Sequence, residues 1–400
     1  MNSHPLQSIS SEALSEIDAL LSESVAEARI RESSIFHEQL VIAGRKVVIF
    51  GAGRLGRLCA RACDRAGIEL AAFCDSNPTL SGISIDGIRV LQPADAALRF
   101  GKTALFIVAI WTGTAAQSMT ERVRFLRSLG CDKVEPYSSL LWAYGGTEVP
   151  FHAFHNPSEI LSHAPEIRKL ASLLSDAESV QVLSEHLRRL LLGVFPDSPP
   201  APDQYFPDNV LRLGAVEHFV DGGAFVGDTL LEFCRRTGNR FASYSGFEPD
   251  PQNFAELQKN LKTLPPHLVR HAEVYRYALG SATGSARFTA GANASSQIDV
   301  YGSLQIEIKR LDDIQFKHSP TFLKLDIEGA ELAALMGGRE LIIKGRPTAA
   351  ICVYHYHNDF WQAPLMLHSM LPEQPLYLRR HGFDGWETVC YSVNEQHRVG

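Results

Sequence analysis

The sequence has few features of an exported, membrane-embedded or nucleic-acid-binding protein. Its 400 residues contain no run near the roughly 20 apolar residues that a membrane span needs. The first ten residues, MNSHPLQSIS, lack the basic and apolar regions of a secretion signal. The formal net charge is −7, so no overall basic field would attract nucleic acid. We therefore expect a cytoplasmic protein without a membrane span or a nucleic-acid partner.

Cysteine is also sparse and shows no metal-binding or disulfide pattern. The seven cysteines are scattered, and no two form a CxxC pair. This usage fits a reducing compartment and argues against a zinc knuckle. Hydrophobic residues make up 45% of the chain, which is enough for two domains with separate cores. We predict an N-terminal helix at 1–40, a Rossmann-like domain at 41–145, a helical linker at 146–200 and a second domain at 201–400.

The N-terminal helix is amphipathic. Leu14, Ile17, Leu21 and Val25 recur at helical spacing with glutamates between them. Such an apolar stripe packs within its own chain more often than it forms an oligomer. We expect intramolecular docking, with a homo-oligomer as the alternative.

A glycine-rich turn follows the first predicted strand. Gly51, Gly53 and Gly56 form GxGxxG between the strand KVVIF and a helix. Asp75 ends the next strand about twenty residues later, where an acid can bind a ribose. The pattern predicts a Rossmann-like fold and leaves open whether the turn holds a nucleotide or is only structural. Residues 47–97 also resemble the N-terminal domain of sugar acetyltransferases that bind nucleotide-sugars, which implies a nucleotide or nucleotide-sugar ligand.

A second ligand-binding pattern begins at residue 219 with FVDGGAFVGDT. The acid Asp221 ends a strand, and three glycines let the backbone lie against a ligand: Gly222, Gly223 and Gly227. The loop has no Lys or Arg to hold a triphosphate. Glu248 ends the next strand and can accept hydrogen bonds from both ribose hydroxyls. The residues therefore predict a site for a nucleoside without a triphosphate.

The C-terminal half alternates strands and helices before it ends in two strands with no helix between them. We predict the strands HFVDG, YSGFE, VYRYAL, FLKLDI, AAICVYH, PLYLRR and ETVCYSV. The alternation favours a parallel sheet, and the last two strands favour an antiparallel hairpin at one edge. The predicted fold class is α/β, with two Rossmann-like domains and a seven-stranded second sheet that has an antiparallel final strand.

The same half of the chain resembles the FkbM family of class I methyltransferases. The matching segments are DQYFP, EHFVDGGAFVGDT, TFLKLDIEGAELAAL and CVYHYHNDFW, and YLRRHGFDGWETVCYSV is similar to the last strand pair of the family. The resemblance implies that the cofactor is S-adenosylmethionine (AdoMet). It implies that Asp221, Gly223 and Gly227 hold the methionine end of AdoMet, that Glu248 holds the ribose, and that the segment around Ala278 holds the adenine.

Acids at the end of the fourth strand are candidates for chemistry. Lys324, Asp326 and Glu328 alternate along an extended segment, so we expect them on one face at the ligand-binding edge. Asp326 and Glu328 could remove a proton from the acceptor, although Glu328 could instead be a helix-start acid. We interpret Lys324 as the partner of a buried acid and Glu331 as ordinary charge compensation in the first helical turn.

His355 and His357 provide further candidate catalytic groups. They end the fifth predicted strand two residues apart, so both should project to one face at the same edge. One could be a general base. With Asp326 they could instead bind a divalent metal, but two histidines and a distant acid form a weak metal signature, and we predict no metal site.

These observations support an AdoMet-dependent O-methyltransferase that acts on a hydroxyl of a sugar, a polysaccharide precursor or a secondary metabolite, the substrate classes that the resemblance implies. The partner would be a small-molecule or glycan acceptor. One alternative is a nicotinamide-dependent oxidoreductase that uses the GAGRLG segment. The other is a non-catalytic nucleotide or glycan sensor.

Overall fold

The computed structural model describes residues 11–112, 117–214, 216–289, 297–298 and 302–399. The first ten residues of the predicted N-terminal helix lie outside this description. In the described part of the chain, no helix combines the length and apolar character needed to cross a bilayer.

Two helices replace the single helix predicted at the N-terminus. They are α1 (Ser11–Leu20) and α2 (Val25–Ile42). Ser24 starts α2 through a capping box, because its hydroxyl accepts the Glu27 amide while the Glu27 carboxylate accepts the Ser24 amide. Ile17 and Leu21 are buried in the core below the C-terminal sheet, so this apolar stripe packs within the chain.

The first sheet has six strands in the order β3-β4-β2-β1-β5-β6, and only the β3–β4 pair is antiparallel. The strands are β1 (Lys46–Phe50), β2 (Glu69–Cys74), β3 (Ser84–Ile85), β4 (Ile88–Leu91), β5 (Leu105–Val108) and β6 (Lys133–Pro136). The helices around it are α3 (Arg54–Arg65), α4 (Pro93–Phe100), α5 (Met119–Ser128) and α6 (Ser138–Tyr144). The central strands are buried on both faces, which explains their continuous apolar sequence. The predicted Rossmann-like architecture is confirmed.

Three helices connect this sheet to the second one. They are α7 (Pro157–Ser162), α8 (Ala164–Leu173) and α9 (Ala177–Leu192). Asp176 caps α9 and also forms a buried ion pair with Arg379 at 2.6 Å. The connecting helices therefore lie against the last strands of the C-terminal sheet.

The second sheet has seven strands in the order β16-β17-β15-β14-β7-β8-β9. They are β7 (His218–Gly222), β8 (Ser243–Phe247), β9 (Ala272–Tyr275), β14 (Phe322–Leu325), β15 (Thr348–Cys352), β16 (Leu376–Arg380) and β17 (Thr388–Ser392). The helices are α10 (Asp228–Arg236), α11 (Pro251–Leu261), α12 (Pro266–Val269), α13 (Glu331–Gly337), α14 (Arg339–Gly345) and α15 (Asp359–Met370). The strand β17 runs antiparallel to both its neighbours, β15 and β16. The predicted parallel sheet with an antiparallel final strand is confirmed.

A further four-stranded sheet departs from the prediction. Its strands, β10 (Tyr277–Leu279), β11 (Gly284–Thr289), β12 (Gln297–Ile298) and β13 (Leu304–Lys309), lie in the order β10-β13-β11-β12. The predicted strand VYRYAL is divided at Arg276, because β9 completes the seven-stranded sheet while β10 pairs with β13. This sheet places Ala278 and Phe288 beside the ends of the main strands.

Direct contacts join the two large sheets. Asp384 lies in the turn between β16 and β17, and its carboxylate accepts the amide of Met119, the first residue of α5, at 2.9 and 3.0 Å. The indole of Trp111, three residues after β5, donates to the Asp384 carbonyl at 3.1 Å. The Trp111 and Trp386 rings are 5.0 Å apart. The carboxyl end of β5 therefore faces the C-terminal sheet near the turn that carries Trp386.

Candidate active site

A cavity of about 290 Å³ opens at the carboxyl ends of β7, β8 and β14. This is the edge at which open α/β sheets bind ligands. One side is lined by Gly223, Phe225 and Glu248, and another by Ala278 and Phe288. The polar end is lined by Tyr205, Lys324, Asp326, Glu328, Tyr354 and Glu387.

Among the glycines predicted after β7, only Gly223 lines the cavity. Its φ is +77°, and a Cβ there would clash with the carbonyl oxygen of Asp326, so only glycine lets these two strand ends approach. A Cβ on Gly222 would meet the side chains of Leu325 and Leu279. Gly227 is the cap residue just before α10, with φ +90°. Gly222 and Gly227 therefore serve packing and chain direction, and they do not form the cavity wall.

Asp221 also lies behind the wall. It is completely buried, accepts the Tyr244 hydroxyl at 2.8 Å and pairs with Lys324 Nζ at 3.1 Å. Lys324 is 2% exposed and donates to the Gly223 carbonyl at 2.6 Å. Burial raises the pKa of Asp221, and the ammonium of Lys324 opposes that rise. The structure therefore connects Asp221 to the glycine segment through Lys324, where the prediction had Asp221 at the cofactor itself.

Glu248 faces the cavity from the end of β8. Its two carboxylate oxygens accept the amides of Phe225 and Asp250, each at 2.9 Å. Burial raises its pKa to about 7. Each oxygen retains a lone pair that could accept a ribose hydroxyl. Ala278 lines the adjoining apolar wall with Tyr277, as a flat adenine would require.

Asp326, the acid directly after β14, is held by two tyrosines. It accepts the Tyr205 hydroxyl at 2.6 Å and the Tyr354 hydroxyl at 3.3 Å. Although burial acts in the opposite direction, Lys324 and His355 lower its pKa. Asp326 is therefore ionised and well supplied with hydrogen bonds, which makes it a weak base.

Glu328 is in a different state. Its φ of +56° is strained for a residue with a side chain, by roughly 1–3 kcal/mol. Burial raises its pKa to about 8. Its carboxylate lies 3.6 Å from Nε2 of His355. Glu328 is thus a carboxyl group in the cavity that changes protonation near neutral pH.

The same unusual backbone geometry recurs along the cavity. Tyr205, Phe225 and Glu387 also have φ between +46° and +69°, and all three line the cavity. Strained backbone tends to concentrate at functional sites. Its presence here supports a functional site.

The two candidate histidines are separated. The strand β15 ends at Cys352, so both residues follow it in a turn and do not continue its alternation. His355 is 5% exposed and points toward Asp326, Glu328 and Glu331. His357 instead packs against the ring of His155 at 4.5 Å, and burial lowers its pKa to about 4. The expectation that both histidines project to one face is wrong.

Sequence analysis missed part of the polar cluster. Glu331 is completely buried, accepts the Ile327 amide at 2.7 Å and lies 3.1 Å from Nδ1 of His355. Its interpretation as simple first-turn charge compensation is therefore corrected. Tyr205 belongs to the DQYFP segment, which the family resemblance already singled out without assigning it a role. Glu387 accepts the Gln204 amide at 2.7 Å, and no sequence pattern pointed to it.

The glycine turn of the first sheet has the predicted geometry. A Cβ on Gly56 would clash with the carbonyl oxygen of Gly51, whereas Gly53 has open space around it. Asp75 accepts the Ala52 amide and the Asn77 amide, each at 2.8 Å. The acid predicted to bind a ribose therefore also fixes the turn, and whether a nucleotide occupies the turn stays a prediction.

Comparisons with known proteins agree with this arrangement. Residues 221–384 match the family model of the methyltransferase FkbM domain. The structure of methyltransferase FkbM from Methylobacillus flagellatus KT is 23% identical, with a TM-score of 0.75, and the match covers 96% of this chain and 98% of that chain. A comparison with curated proteins gave no match.

Two further structures match smaller parts of the chain. Precorrin-6y C5,15-methyltransferase from Geobacter metallireducens GS-15 is 14% identical, with a TM-score of 0.28, over 45% of this chain and 80% of its own. UDP-D-quinovosamine 4-dehydrogenase from Vibrio fischeri is 24% identical, with a TM-score of 0.18, over 24% of this chain and 76% of its own.

Proposed function

Because residues 221–384 match the FkbM methyltransferase domain, which indicates an AdoMet-dependent methyltransferase, we propose that this protein methylates a hydroxyl group of a sugar, a polysaccharide precursor or a secondary metabolite. The main support for a hydroxyl acceptor comes from Glu328. This carboxyl group lines the cavity, and burial raises its pKa to about 8. A group that titrates near the working pH is well suited to remove a proton during a reaction.

The cofactor would lie along the glycine side of the cavity. Glu248 would accept the two ribose hydroxyls, and the apolar wall at Ala278 would contact the adenine. Gly223 would lie against the methionine end, held in place by the Lys324 bond to its carbonyl. Asp221 would act by positioning Lys324. In this arrangement the sulfonium would face Asp326 and Glu328.

The chemistry is an in-line displacement. Bound AdoMet would supply the methyl group: as the acceptor oxygen bonds to the methyl carbon, the bond between that carbon and sulfur would break and release S-adenosylhomocysteine. Glu328 would take up the acceptor's proton. Alignment of the two reactants supplies much of the rate, and a positioned base adds about 10²- to 10⁴-fold. Tyr205 and Tyr354 would hold Asp326 in place beside the acceptor.

We also propose that the first sheet binds the far end of a nucleotide-linked acceptor. His152 is exposed at the junction of the two sheets, and its ring is 6.0 Å from that of Trp386. Partial burial lowers its pKa, and the nearby positive charges of Arg54 and His355 lower it further. Arg54 begins α3 at the glycine turn, whereas His355 belongs to the polar cluster. His152 is therefore within electrostatic range of groups that belong to both predicted binding sites.

The protonation of Glu248 should control AdoMet binding. Its carboxyl group has a pKa of about 7, so roughly a tenth is ionised at pH 6 and nine tenths at pH 8. The ionised form accepts the stronger hydrogen bonds. We expect AdoMet affinity, measured by calorimetry, to rise up to about tenfold from pH 6 to pH 8. In Glu248→Gln this rise should disappear and affinity at pH 8 should fall roughly 10- to 100-fold. The variant also controls for titration of the amino group of AdoMet, and an unchanged pH dependence would contradict the ribose assignment.

The link between the two sites can be tested with uridine diphosphate sugars. We expect the double variant Arg54→Ala and His152→Ala to bind UDP-glucose roughly tenfold more weakly, because a phosphate loses a charge-assisted hydrogen bond. AdoMet affinity should change less than twofold. The matched control is Arg57→Ala, which removes an exposed arginine from the same helix. Equal UDP-glucose affinity in all three proteins would leave the first sheet with a structural role.

Calorimetric titration of the full chain with AdoMet, NAD(H) and UDP-sugars separates the competing functions. AdoMet binding followed by methylation of a member of a sugar and nucleotide-sugar panel would support the proposal. NAD(H) binding without AdoMet binding would favour an oxidoreductase that uses the GAGRLG turn. Tight AdoMet binding with no transfer to the panel would favour a sensor.

A further inference from the structure

Three side chains from separate elements converge behind the polar end of the cavity. Asp326 follows β14, Glu331 begins α13, and His355 follows β15. One ligand atom from each lies within 4.8 Å of the others. Two carboxylates and an imidazole at this separation are suitable ligands for a single cation.

The polar atoms of this cluster are incompletely satisfied. His355 is 5% exposed; its Nδ1 lies 3.1 Å from the Glu331 carboxylate, whereas its Nε2 has no hydrogen-bond partner within the described part of the chain and lies 3.5 Å from Asp326. Glu331 is completely buried, and its Oε2 likewise has none, although Oε1 accepts the Ile327 amide. Buried side-chain polar atoms almost always have a partner, and an unfilled ion site is one explanation of an exception.

The charges around the cluster are also suitable for a cation. The Glu328 carboxylate lies 3.6 Å from Nε2 of His355. A third carboxyl group therefore lies close to the cluster, beside those of Asp326 and Glu331. The ammonium of Lys324 is engaged by Asp221 and the Gly223 carbonyl. Buried carboxylates at this density require a compensating positive charge. Either a protonated His355 or a bound cation could supply it.

We propose that Asp326, Glu331 and His355 bind one divalent transition-metal cation, of the class of Mn²⁺ or Zn²⁺. The imidazole nitrogen favours such ions over Mg²⁺ and Ca²⁺, which prefer ligand sets made entirely of oxygen. Sequence analysis had considered His357 as a ligand, but the structure replaces it with Glu331. Cation binding at these three residues does not depend on the identity of the acceptor.

A cation here would affect the cavity through Asp326, its only ligand among the cavity-lining residues. A divalent ion next to an acceptor hydroxyl lowers the pKa of that hydroxyl. Asp326 would thus connect the cation to the proton transfer assigned to Glu328.

The test uses the full chain after chelation and dialysis, titrated with MnCl₂, ZnCl₂ and MgCl₂ separately by calorimetry. We expect one equivalent of Mn²⁺ or Zn²⁺ to bind with at least tenfold higher affinity than Mg²⁺ and to raise Tm. Glu331→Gln and His355→Asn should each weaken that binding at least tenfold. Gln keeps an oxygen for the Ile327 amide, so Glu331→Gln should stay folded, and circular dichroism would confirm it.

His357→Asn is the matched control, because it removes a neighbouring histidine from outside the cluster. Its cation affinity should equal that of the native protein. The proposal would be overturned if the native protein showed no saturable cation binding. It would also be overturned if Glu331→Gln and His355→Asn bound the cation as tightly as the native protein does. The cluster would then be compensated by a protonated His355. AdoMet binding that is intact in the same samples would show that the proposed function survives this result.

Discussion

Replacing Glu328 by glutamine is expected to lower the rate of methyl transfer on the order of 10²- to 10⁴-fold. The substitution keeps the shape of the side chain but removes its ability to accept the acceptor's proton. AdoMet affinity should stay within about threefold, because the ribose and adenine contacts assigned above lie elsewhere in the cavity. The measurement is formation of S-adenosylhomocysteine with any acceptor that supports turnover by the native protein.

The pH profile separates a base from a residue that only shapes the cavity. The pKa of Glu328 is raised to about 8, so the ionised form that accepts a proton predominates above that pH. The native rate should rise with pH, about tenfold per unit below pH 8, and then level off. In Glu328→Gln this limb should be missing. Glu340→Gln removes an exposed glutamate from α14 and should match the native profile. A native-like rate in Glu328→Gln would exclude Glu328 as the base.

Replacing Lys324 by methionine is expected to lower the free energy of unfolding by about 3–5 kcal/mol. The substitution leaves Asp221 as a completely buried carboxylate without its ion-pair partner. The expected loss is a large part of the free energy of unfolding of a typical domain, which is roughly 5–15 kcal/mol. Urea unfolding, followed by circular dichroism, measures the loss. Lys259→Met breaks an exposed ion pair with Glu256 and should change stability by less than about 1 kcal/mol.

The double variant Lys324→Met and Asp221→Asn removes both buried charges. It should be more stable than Lys324→Met alone, because no unpaired ion remains in the core. If the single and double variants are equally destabilised, the pair contributes through packing and not through charge.

Sequence patterns predicted the sheet edge and several of its residues. Short-range rules place Gly223, Glu248 and Asp326 at strand ends, and parallel strands bring such ends together. The alternation of strands and helices predicted a largely parallel sheet of seven strands with an antiparallel final strand, but not the spatial order of those strands. These features depend on local periodicity and on glycine chemistry, both of which are visible in one sequence.

The remaining features depend on chain direction after a strand ends. Strand alternation predicted one shared face for His355 and His357, but β15 ends at Cys352 and a turn separates them. The positive φ of Glu328 similarly changes the direction of the chain before Glu331. The position of Glu331 in the sequence therefore gave no sign that Glu331 contacts His355. The burial of Asp221 depends on Tyr244 and Lys324, which belong to neighbouring strands. Long-range pairing of this kind leaves no periodic signal.

Asp384 has a consequence for movement between the two sheets. From across their boundary its carboxylate accepts the first amide of α5, and a hydrogen bond to a charged group contributes about 1.5–3 kcal/mol. Swinging the sheets apart would break that bond, separate Trp111 from Trp386 and leave the buried Asp384 without its amide partner. A hinge at this boundary is therefore disfavoured. The two sheets should keep their relative position when ligands bind, so that they behave as one rigid unit.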